Sequence, residues 1–171
     1  MRGAERVPSG PLVVAANHES VLDPFVLGAA IARPLRFVAK EELWRNPLLA
    51  WGLERAGAIP VARGRGDVGA MGRARLALER GEAVALFPEG GVRREGPWLR
   101  GAARLALAAG APILPVRLVG TAAALSPGRV GFPRVGVLVG HPLPVPCLRP
   151  TVATARAVTA QVQRAVELLG A

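Results

Sequence analysis

The segment "NHESVLDP", residues 17–24, holds the two residue types of a general-base pair. His18 precedes Asp23 by five positions, and Pro24 follows directly. Imidazole titrates near neutrality, so it suits the removal of a proton from an attacking hydroxyl group. A carboxylate bonded to the second ring nitrogen would fix the tautomer and stabilise the imidazolium. The segment therefore predicts a base at His18 and an orienting carboxylate at Asp23.

The spacing of the pair restricts the backbone between its members. Positions five apart on an ideal helix point about 140° away from each other. His18 and Asp23 can therefore meet only if residues 17–23 form a turn, and Pro24 suits the first position of a following helix. The same residues allow another interpretation, in which Asp23 caps that helix and His18 bonds to backbone groups at a strand end. Asp23 could also do both.

The elements that would position this turn alternate between apolar runs typical of strands and patterns with helical periodicity. The predicted strands are 11–16, 35–39, 58–62, 83–87, 112–119 and 134–140, and the predicted helices are 25–32, 41–56 with a break near Pro47, 68–80, 99–110 and 151–169. Strands that alternate with helices imply βαβ units. We therefore expect a single α/β domain over residues 1–171, with a largely parallel or mixed sheet covered by helices on both faces.

Composition restricts the compartment and the partners. The chain carries 22 Lys+Arg against 12 Asp+Glu, a net charge of +10 that favours anionic partners. Because Cys147 is the single cysteine, the chain has no intrachain disulfide, which favours a cytoplasmic protein. No residue near it in the sequence would activate the thiol as a base, so we expect Cys147 to be a packed thiol. No apolar stretch reaches the about 20 residues of a spanning helix, and residues 1–10 lack a signal peptide's apolar centre. Any membrane contact is expected to be peripheral, on the inner face of the cell membrane.

Four short blocks follow one another along the chain: "NHESVLD" (17–23), "GAIPVAR" (57–63), "FPEGG" (87–91) and "APILPV" (111–116). In this order and spacing they resemble the blocks of the glycerolipid acyltransferases of the lysophosphatidic acid acyltransferase (PlsC-like) family. The resemblance implies a glycerol-3-phosphate acyltransferase-like fold. It also implies transfer of a fatty acyl group from a thioester donor, acyl-CoA or acyl carrier protein, to the free hydroxyl of 1-acylglycerol 3-phosphate. No metal or tightly bound cofactor is implied.

The resemblance also assigns substrate-binding residues. Arg63 would grip the phosphate of the acceptor with two parallel hydrogen bonds, unless it is an ordinary solvated loop arginine. Glu89 would position a substrate hydroxyl or an arginine, and Gly90 and Gly91 would offer amide donors. The alternative for these three residues is a plain surface turn. Lys40, in the segment "FVAKEEL", is a further candidate for substrate binding.

Two departures from the family pattern concern the acceptor and the membrane. Where the family has Thr-Arg after Pro-Glu-Gly, this chain has Gly91 and Val92, so that Arg93 or Arg94 would have to supply the missing cation. Many members also begin with an apolar N-terminal anchor, whereas this chain starts almost directly at its first strand. The reaction class is unaffected, but glycerol 3-phosphate, another lysophospholipid or an amino-lipid become alternative acceptors.

The segment 41–56 offers a route to a lipid surface. Trp44, Leu48 and Trp51 would form one stripe on a continuous helix, and tryptophans beside cations suit the lipid–water interface. We hypothesise that this stripe docks on anionic membrane; the alternative is that both tryptophans pack against the sheet. A non-catalytic basic module that binds anionic lipid or nucleic acid is the alternative of another class. Aromatic residues make up only 4% of the chain and it has no nucleic-acid motif, so we expect no nucleic-acid partner.

Overall fold

The fold is built around a six-stranded sheet. The structure, a computed structural model, describes residues 1–62, 67–93, 96–126, 129–130 and 134–170. Its strands are β1 (Leu12–Ala16), β2 (Leu35–Lys40), β3 (Ile59–Val61), β4 (Ala83–Leu86), β5 (Ile113–Val119), β6 (Leu125–Ser126), β7 (Arg129–Val130) and β8 (Gly136–Val139). The order across the large sheet is β3-β2-β4-β1-β5-β8, in which β8 is antiparallel to β5 and the other neighbours are parallel. Strands β6 and β7 pair with each other as a separate two-stranded antiparallel sheet.

Helices cover both faces of the sheet. The α-helices of the described residues are α1 (Asp23–Ala30), α2 (Pro47–Arg55), α3 (Val68–Glu79), α4 (Gly101–Ala109), α5 (Thr121–Ala124) and α6 (Val152–Leu168). Residues of α3, α4 and α6 pack on one face, and residues of α1 pack on the other. Strand β1 is buried along its whole length. Val13 and Ala15 pack into the apolar cluster on the face covered by α3, α4 and α6, and Leu12 and Val14 pack into the cluster on the face covered by α1. Full burial of a Val or Leu side chain contributes roughly 1.5–3 kcal/mol to stability. Strand β1 therefore fixes the position of the residues that follow it.

The parallel strands bring several carboxyl ends to one edge of the sheet. In the register, Ala15 of β1 lies between Leu86 of β4 and Pro115 of β5. The segments that follow β1 and β4 therefore lie side by side, at the edge where ligands of α/β sheets bind. The candidate residues His18 and Glu89, which the sequence analysis placed after β1 and β4, therefore lie at this edge.

The predicted strands and helices are confirmed in kind and order, including the end of α4 at Gly110, whose φ of 63° is the left-handed conformation that favours glycine. Segment 41–56 does break before Pro47. A 3-10 helix covers Glu41–Arg45, and the Asn46 side chain then caps α2 by accepting the Leu48 amide at 3.0 Å. A continuous stripe is therefore excluded.

Other features differ from the sequence predictions. The short helix α5 and the β6–β7 strand pair were not predicted, because elements this short carry no periodic signal. The prediction of a packed thiol at Cys147 is wrong, since its side chain is exposed on the segment that leads to α6. Among the described residues, no helix combines the length and the apolar character needed to cross a bilayer.

Candidate active site

His18 and Asp23 touch across a turn that joins β1 to α1. The Nδ1 atom of His18 lies 2.8 Å from the Oδ2 atom of Asp23. The turn closes through a hydrogen bond from the Asp23 amide to the Ser20 carbonyl oxygen at 3.1 Å. Because Asp23 is the first residue of α1, with Pro24 behind it, the helix begins only after the chain has folded back. The predicted contact between His18 and Asp23 is therefore confirmed.

The carboxylate of Asp23 is held by the turn that it follows. Its Oδ2 atom also accepts the amides of Glu19 at 2.6 Å and Ser20 at 2.8 Å, and the side chain is fully buried. It makes no hydrogen bond to the amides of α1, so the alternative in which Asp23 caps this helix is wrong. Burial alone would raise the pKa of Asp23, but the His18 ring and these two backbone bonds outweigh it and hold the pKa below its ordinary value.

The imidazole of His18 is fixed on two sides. Its ring stacks on Phe87 with the centroids 4.2 Å apart and the planes 20° apart, and Phe87 in turn stacks on Phe37. The His18 carbonyl oxygen accepts the amide of Arg93 at 2.7 Å. The His18 side chain keeps 15% of its surface exposed. The ring is therefore held in place and still reachable from solvent.

Asn17 ties the turn to the neighbouring strand, a role that the sequence analysis did not assign. Its Nδ2 atom donates to the Leu118 carbonyl oxygen at 2.9 Å, and its Oδ1 atom accepts the Leu118 amide at 2.7 Å. The side chain thus continues the β1–β5 ladder by one step after β1 has ended. The signal in the sequence was an amide residue directly after a buried strand.

The loop after β4 brings Glu89 beside His18. The Gly90 amide donates to the Phe87 carbonyl oxygen at 3.0 Å, and Gly90 has φ 75°, so glycine permits this tight turn. The Gly90 amide is therefore occupied, which argues against its predicted role as a substrate donor. The Gly91 amide has no hydrogen-bond partner within the described ranges. Burial raises the pKa of Glu89 above its ordinary value, and neighbouring carboxylates add to the rise while His18 partly opposes it.

Arg93 is present at the site, but its guanidinium is largely engaged. Its Nε atom donates to the Glu19 carbonyl oxygen at 3.1 Å and a terminal nitrogen donates to the Ala122 carbonyl oxygen at 2.8 Å. Together with the bond from its amide to His18, Arg93 joins three segments: the turn after β1, the loop after β4 and α5. Arg93 therefore stabilises the site, and its guanidinium has few donors left to bind an anionic substrate.

These residues surround an open cavity of about 330 Å³. The lining residues are Asn17, His18, Glu19, Glu89, Arg93, Trp98, Arg117, Val166 and Glu167. The cavity thus holds Glu89 and Arg93, two of the predicted substrate-binding residues, together with His18, and it adds Trp98, Arg117 and Glu167. Lys40 ends β2 and does not line this cavity. Arg63 and Arg94, which the sequence analysis also singled out, lie outside the described residues.

Known proteins share both the sequence pattern and the fold. The family model described as Acyltransferase matches residues 1–119, more than half of the chain. The chain belongs to the acyltransferase family. The matched range includes the His18–Asp23 turn, the loop after β4 and the whole of β5.

Relatives with assigned names include two curated proteins and one solved structure. The chloroplastic 1-acyl-sn-glycerol-3-phosphate acyltransferase BAT2 of Brassica napus is 30% identical over 139 residues, covering 77% of this chain and 40% of that protein. The lyso-ornithine lipid O-acyltransferase of Pseudomonas aeruginosa is 39% identical over 92 residues, covering 53% and 34%. The crystal structure of the 1-acyl-sn-glycerophosphate (LPA) acyltransferase PlsC from Thermotoga maritima matches with a TM-score of 0.74 at 28% identity, covering 99% of this chain and 71% of that one. The chain spans less than half the length of these curated relatives.

Proposed function

We propose that this chain transfers a fatty acyl group from an acyl thioester to the free hydroxyl of 1-acylglycerol 3-phosphate, giving phosphatidic acid. The observation that carries the proposal is the 2.8 Å contact between His18 Nδ1 and Asp23 Oδ2 at the wall of a cavity. Membership of the acyltransferase family and the names of the relatives support the same reaction.

The charge state of Asp23 assigns the protons of the pair. Because its pKa lies below the ordinary value, Asp23 is a carboxylate at neutral pH and can only accept hydrogen bonds. The proton between the two side chains therefore sits on Nδ1 of His18. This tautomer leaves the lone pair of Nε2 available to take a proton from an acceptor in the cavity.

The proposed reaction begins at that lone pair. Nε2 takes the proton of the acceptor hydroxyl while the oxygen attacks the thioester carbonyl carbon. The tetrahedral intermediate collapses with cleavage of the carbon–sulfur bond, and the imidazolium returns the proton to the departing thiolate. Asp23 stabilises the imidazolium between the two steps. The donor is a thioester of coenzyme A or of acyl carrier protein, and its thioester bond supplies the driving force.

Two further residues support the transfer. The Gly91 amide, without a partner among the described residues, is our candidate donor to the oxyanion of the intermediate. Burial raises the pKa of Glu89 because the carboxylate is partly shielded from water, so a hydrogen bond from a substrate hydroxyl would be favourable there. Glu89 would thus orient the acceptor beside His18.

A thiol-release assay tests this proposal. Acyl-CoA and acyl carrier protein thioesters are offered in turn, with 1-acylglycerol 3-phosphate or without acceptor, and phosphatidic acid is followed by mass spectrometry. We expect thiol release that depends on the acceptor and equals the phosphatidic acid formed. Thiol release that is equal without acceptor would identify a thioesterase and overturn the proposal, as would the absence of release with both donors.

A second acceptor is favoured by one specific observation. The Pseudomonas aeruginosa relative that is 39% identical is named as a lyso-ornithine lipid O-acyltransferase, and this chain has Val92 where the glycerolipid family usually has arginine. The chemistry at His18 would be the same with a lyso-ornithine lipid. Adding this lipid to the assay distinguishes the acceptors, because the preferred one will have the higher kcat/KM.

We also propose that α2 places the enzyme on an anionic membrane. None of the residues of α2 is buried, and Leu48 and Trp51 are 83% and 65% exposed. Arg55 lies over the Trp51 ring at 5.2 Å, so a cation flanks the apolar side chains, and the chain carries a net charge of +10. The opposite charge of an anionic bilayer and the insertion of Leu48 and Trp51 would act together.

The position of α2 agrees with the proposed lipid substrate. The segment 41–55 follows β2 and so leaves the same edge of the parallel sheet as the turn after β1. At that edge Val21 and Phe25 are also exposed, at 59% and 71%. Docking through α2 would therefore bring the cavity toward the surface that holds the lipid. On this proposal the enzyme works on the inner face of the cell membrane.

A further inference from the structure

Arg117 is a cation of the cavity that the reaction described so far does not use. It lies on β5 between Val116 and Leu118, which are fully buried against the α1 side of the sheet, so its side chain lies on the opposite face. There it lines the same cavity as His18. Its Nε atom is buried and has no hydrogen-bond partner in the part of the chain that the structure describes.

The end of α6 packs closely against this arginine. Glu167 lines the cavity, but its carboxylate accepts a hydrogen bond from the Gln163 side chain at 3.0 Å. Within the described ranges, no carboxylate forms an ion pair with Arg117. Gly170 passes so close that a Cβ atom at this position would overlap the Arg117 side chain. Leaving a buried N–H group unsatisfied costs free energy, which a bound acceptor atom would recover.

The other described arginine of the cavity is less available for a ligand. Two nitrogens of Arg93 already donate to backbone carbonyl oxygens, those of Glu19 and Ala122. Among the described residues, the Nε atom of Arg117 has no such bond. A guanidinium with free donors can bind a phosphate through two parallel hydrogen bonds.

We infer that Arg117 forms an anion subsite that binds the phosphate of the acceptor while His18 activates its hydroxyl. This inference rests on the proposed function. In 1-acylglycerol 3-phosphate the free hydroxyl and the phosphate are on neighbouring carbon atoms, so both must fit into the cavity that holds the base. The phosphates of coenzyme A are separated from its thioester by the long pantetheine arm, and they would lie outside this cavity. Arg117 thereby supplies, from β5, the cation that is missing at Val92.

Binding can be measured without turnover. The chain has three tryptophans, and Trp98 lines the cavity. In a Trp44→Phe/Trp51→Phe background, Trp98 fluorescence is titrated with glycerol 3-phosphate and, as a neutral control, with glycerol. We expect saturable binding of glycerol 3-phosphate that Arg117→Gln weakens roughly 10- to 100-fold. Arg104→Gln, which removes a charge from the exposed side of α4, should leave the affinity for glycerol 3-phosphate unchanged.

Kinetics then show which substrate the subsite serves. Arg117→Gln should raise KM for 1-acylglycerol 3-phosphate by roughly 10- to 100-fold, as for the binding of glycerol 3-phosphate. KM for acyl-CoA should stay within about twofold, and KM for uncharged 1-acylglycerol should not change. Arg117→Lys should fall in between, because it keeps the charge and loses the fork geometry. The inference is overturned if Arg117→Gln binds glycerol 3-phosphate as tightly as Arg104→Gln does, or if only KM for acyl-CoA rises. Binding without any acyl transfer would instead contradict the proposed function and leave the subsite in place.

Discussion

Asp23 Oδ2 accepts a hydrogen bond from Nδ1 of His18 at 2.8 Å. The same oxygen atom accepts hydrogen bonds from the amides of Glu19 and Ser20, which lie between the two residues in the chain. The loop that separates the pair thus also fixes the carboxylate. His18 is then held from the other side by the Phe87 ring. The catalytic geometry that we propose exists before any substrate binds, which is the condition for a base to act without reorganisation.

The lowered pKa of Asp23 predicts a loss of stability in acid. Because the folded-state pKa lies below the ordinary value of about 3.9, the stabilisation is fully present above about pH 4 and is lost as the pH falls through the folded-state pKa. Urea unfolding at about pH 5 and about pH 3 should show a smaller loss for Asp23→Asn than for the wild type. Asp67 and Glu82, whose pKa values are also lowered, remain in both proteins. Equal losses would show that Asp23 is not a stabilising carboxylate.

Removing the Asn17 side chain should destabilise the fold and the site together. Asn17→Ala leaves the buried amide and carbonyl groups of Leu118 without the partners that now hold them. We expect a loss of about 1–3 kcal/mol in the free energy of unfolding and a lower kcat with KM nearly unchanged. Gln163→Ala, which removes an exposed side-chain pair, is the control and should change stability by less than about 0.5 kcal/mol. The same small effect for both variants would exclude the bridging role of Asn17.

Gly170→Ala tests the position of Arg117 without changing any charge. The added methyl group would overlap the Arg117 side chain and push it away from its place in the cavity. KM for 1-acylglycerol 3-phosphate should rise several-fold, while KM for acyl-CoA and the melting temperature change little. Gly72→Ala, at a helical glycine with open space around it, is the matched control. An unchanged KM would show that Gly170 does not hold Arg117 in position.

The α2 surface predicts binding to anionic vesicles. Leu48→Ser/Trp51→Ser should reduce co-sedimentation with phosphatidylglycerol vesicles at least about tenfold, since two inserted side chains are lost. Neutral phosphatidylcholine vesicles should bind the wild type weakly. Leu76→Ser/Leu168→Ser removes exposed leucines from other helices and serves as the control. If the double variant binds vesicles as before, or if only its self-association changes, α2 is not a membrane surface.

Much of this arrangement could be predicted from the sequence. Periodicity gave the order of the elements, and the five-residue spacing required a turn at His18–Asp23, which the contact between them confirms. The sequence could not show which groups of the turn bond to Asp23, because two amides and the His18 ring share one carboxylate oxygen in a way that only the folded backbone decides.

The parts that were not predicted depend on contacts between distant segments. Arg117 and Glu167 meet at the cavity because β5 and the end of α6 pack together, and no local pattern marks either residue. Arg93 looked like a free cation in the sequence, yet backbone carbonyl oxygens from two other segments occupy its guanidinium. Local motifs gave the residue types, whereas tertiary packing decided which of them face the cavity.

We propose that His18, held by Asp23, is the base of an acyl transfer, and the kinetics of variants at these two positions test this role. The acceptor-dependent rate of thiol release from acyl-CoA is compared in wild type, His18→Ala and Asp23→Asn, each verified as folded by circular dichroism. We predict that kcat falls by about 10²- to 10⁴-fold in both variants. A folded His18→Ala protein that transfers acyl groups at the wild-type rate would show that His18 is not the base.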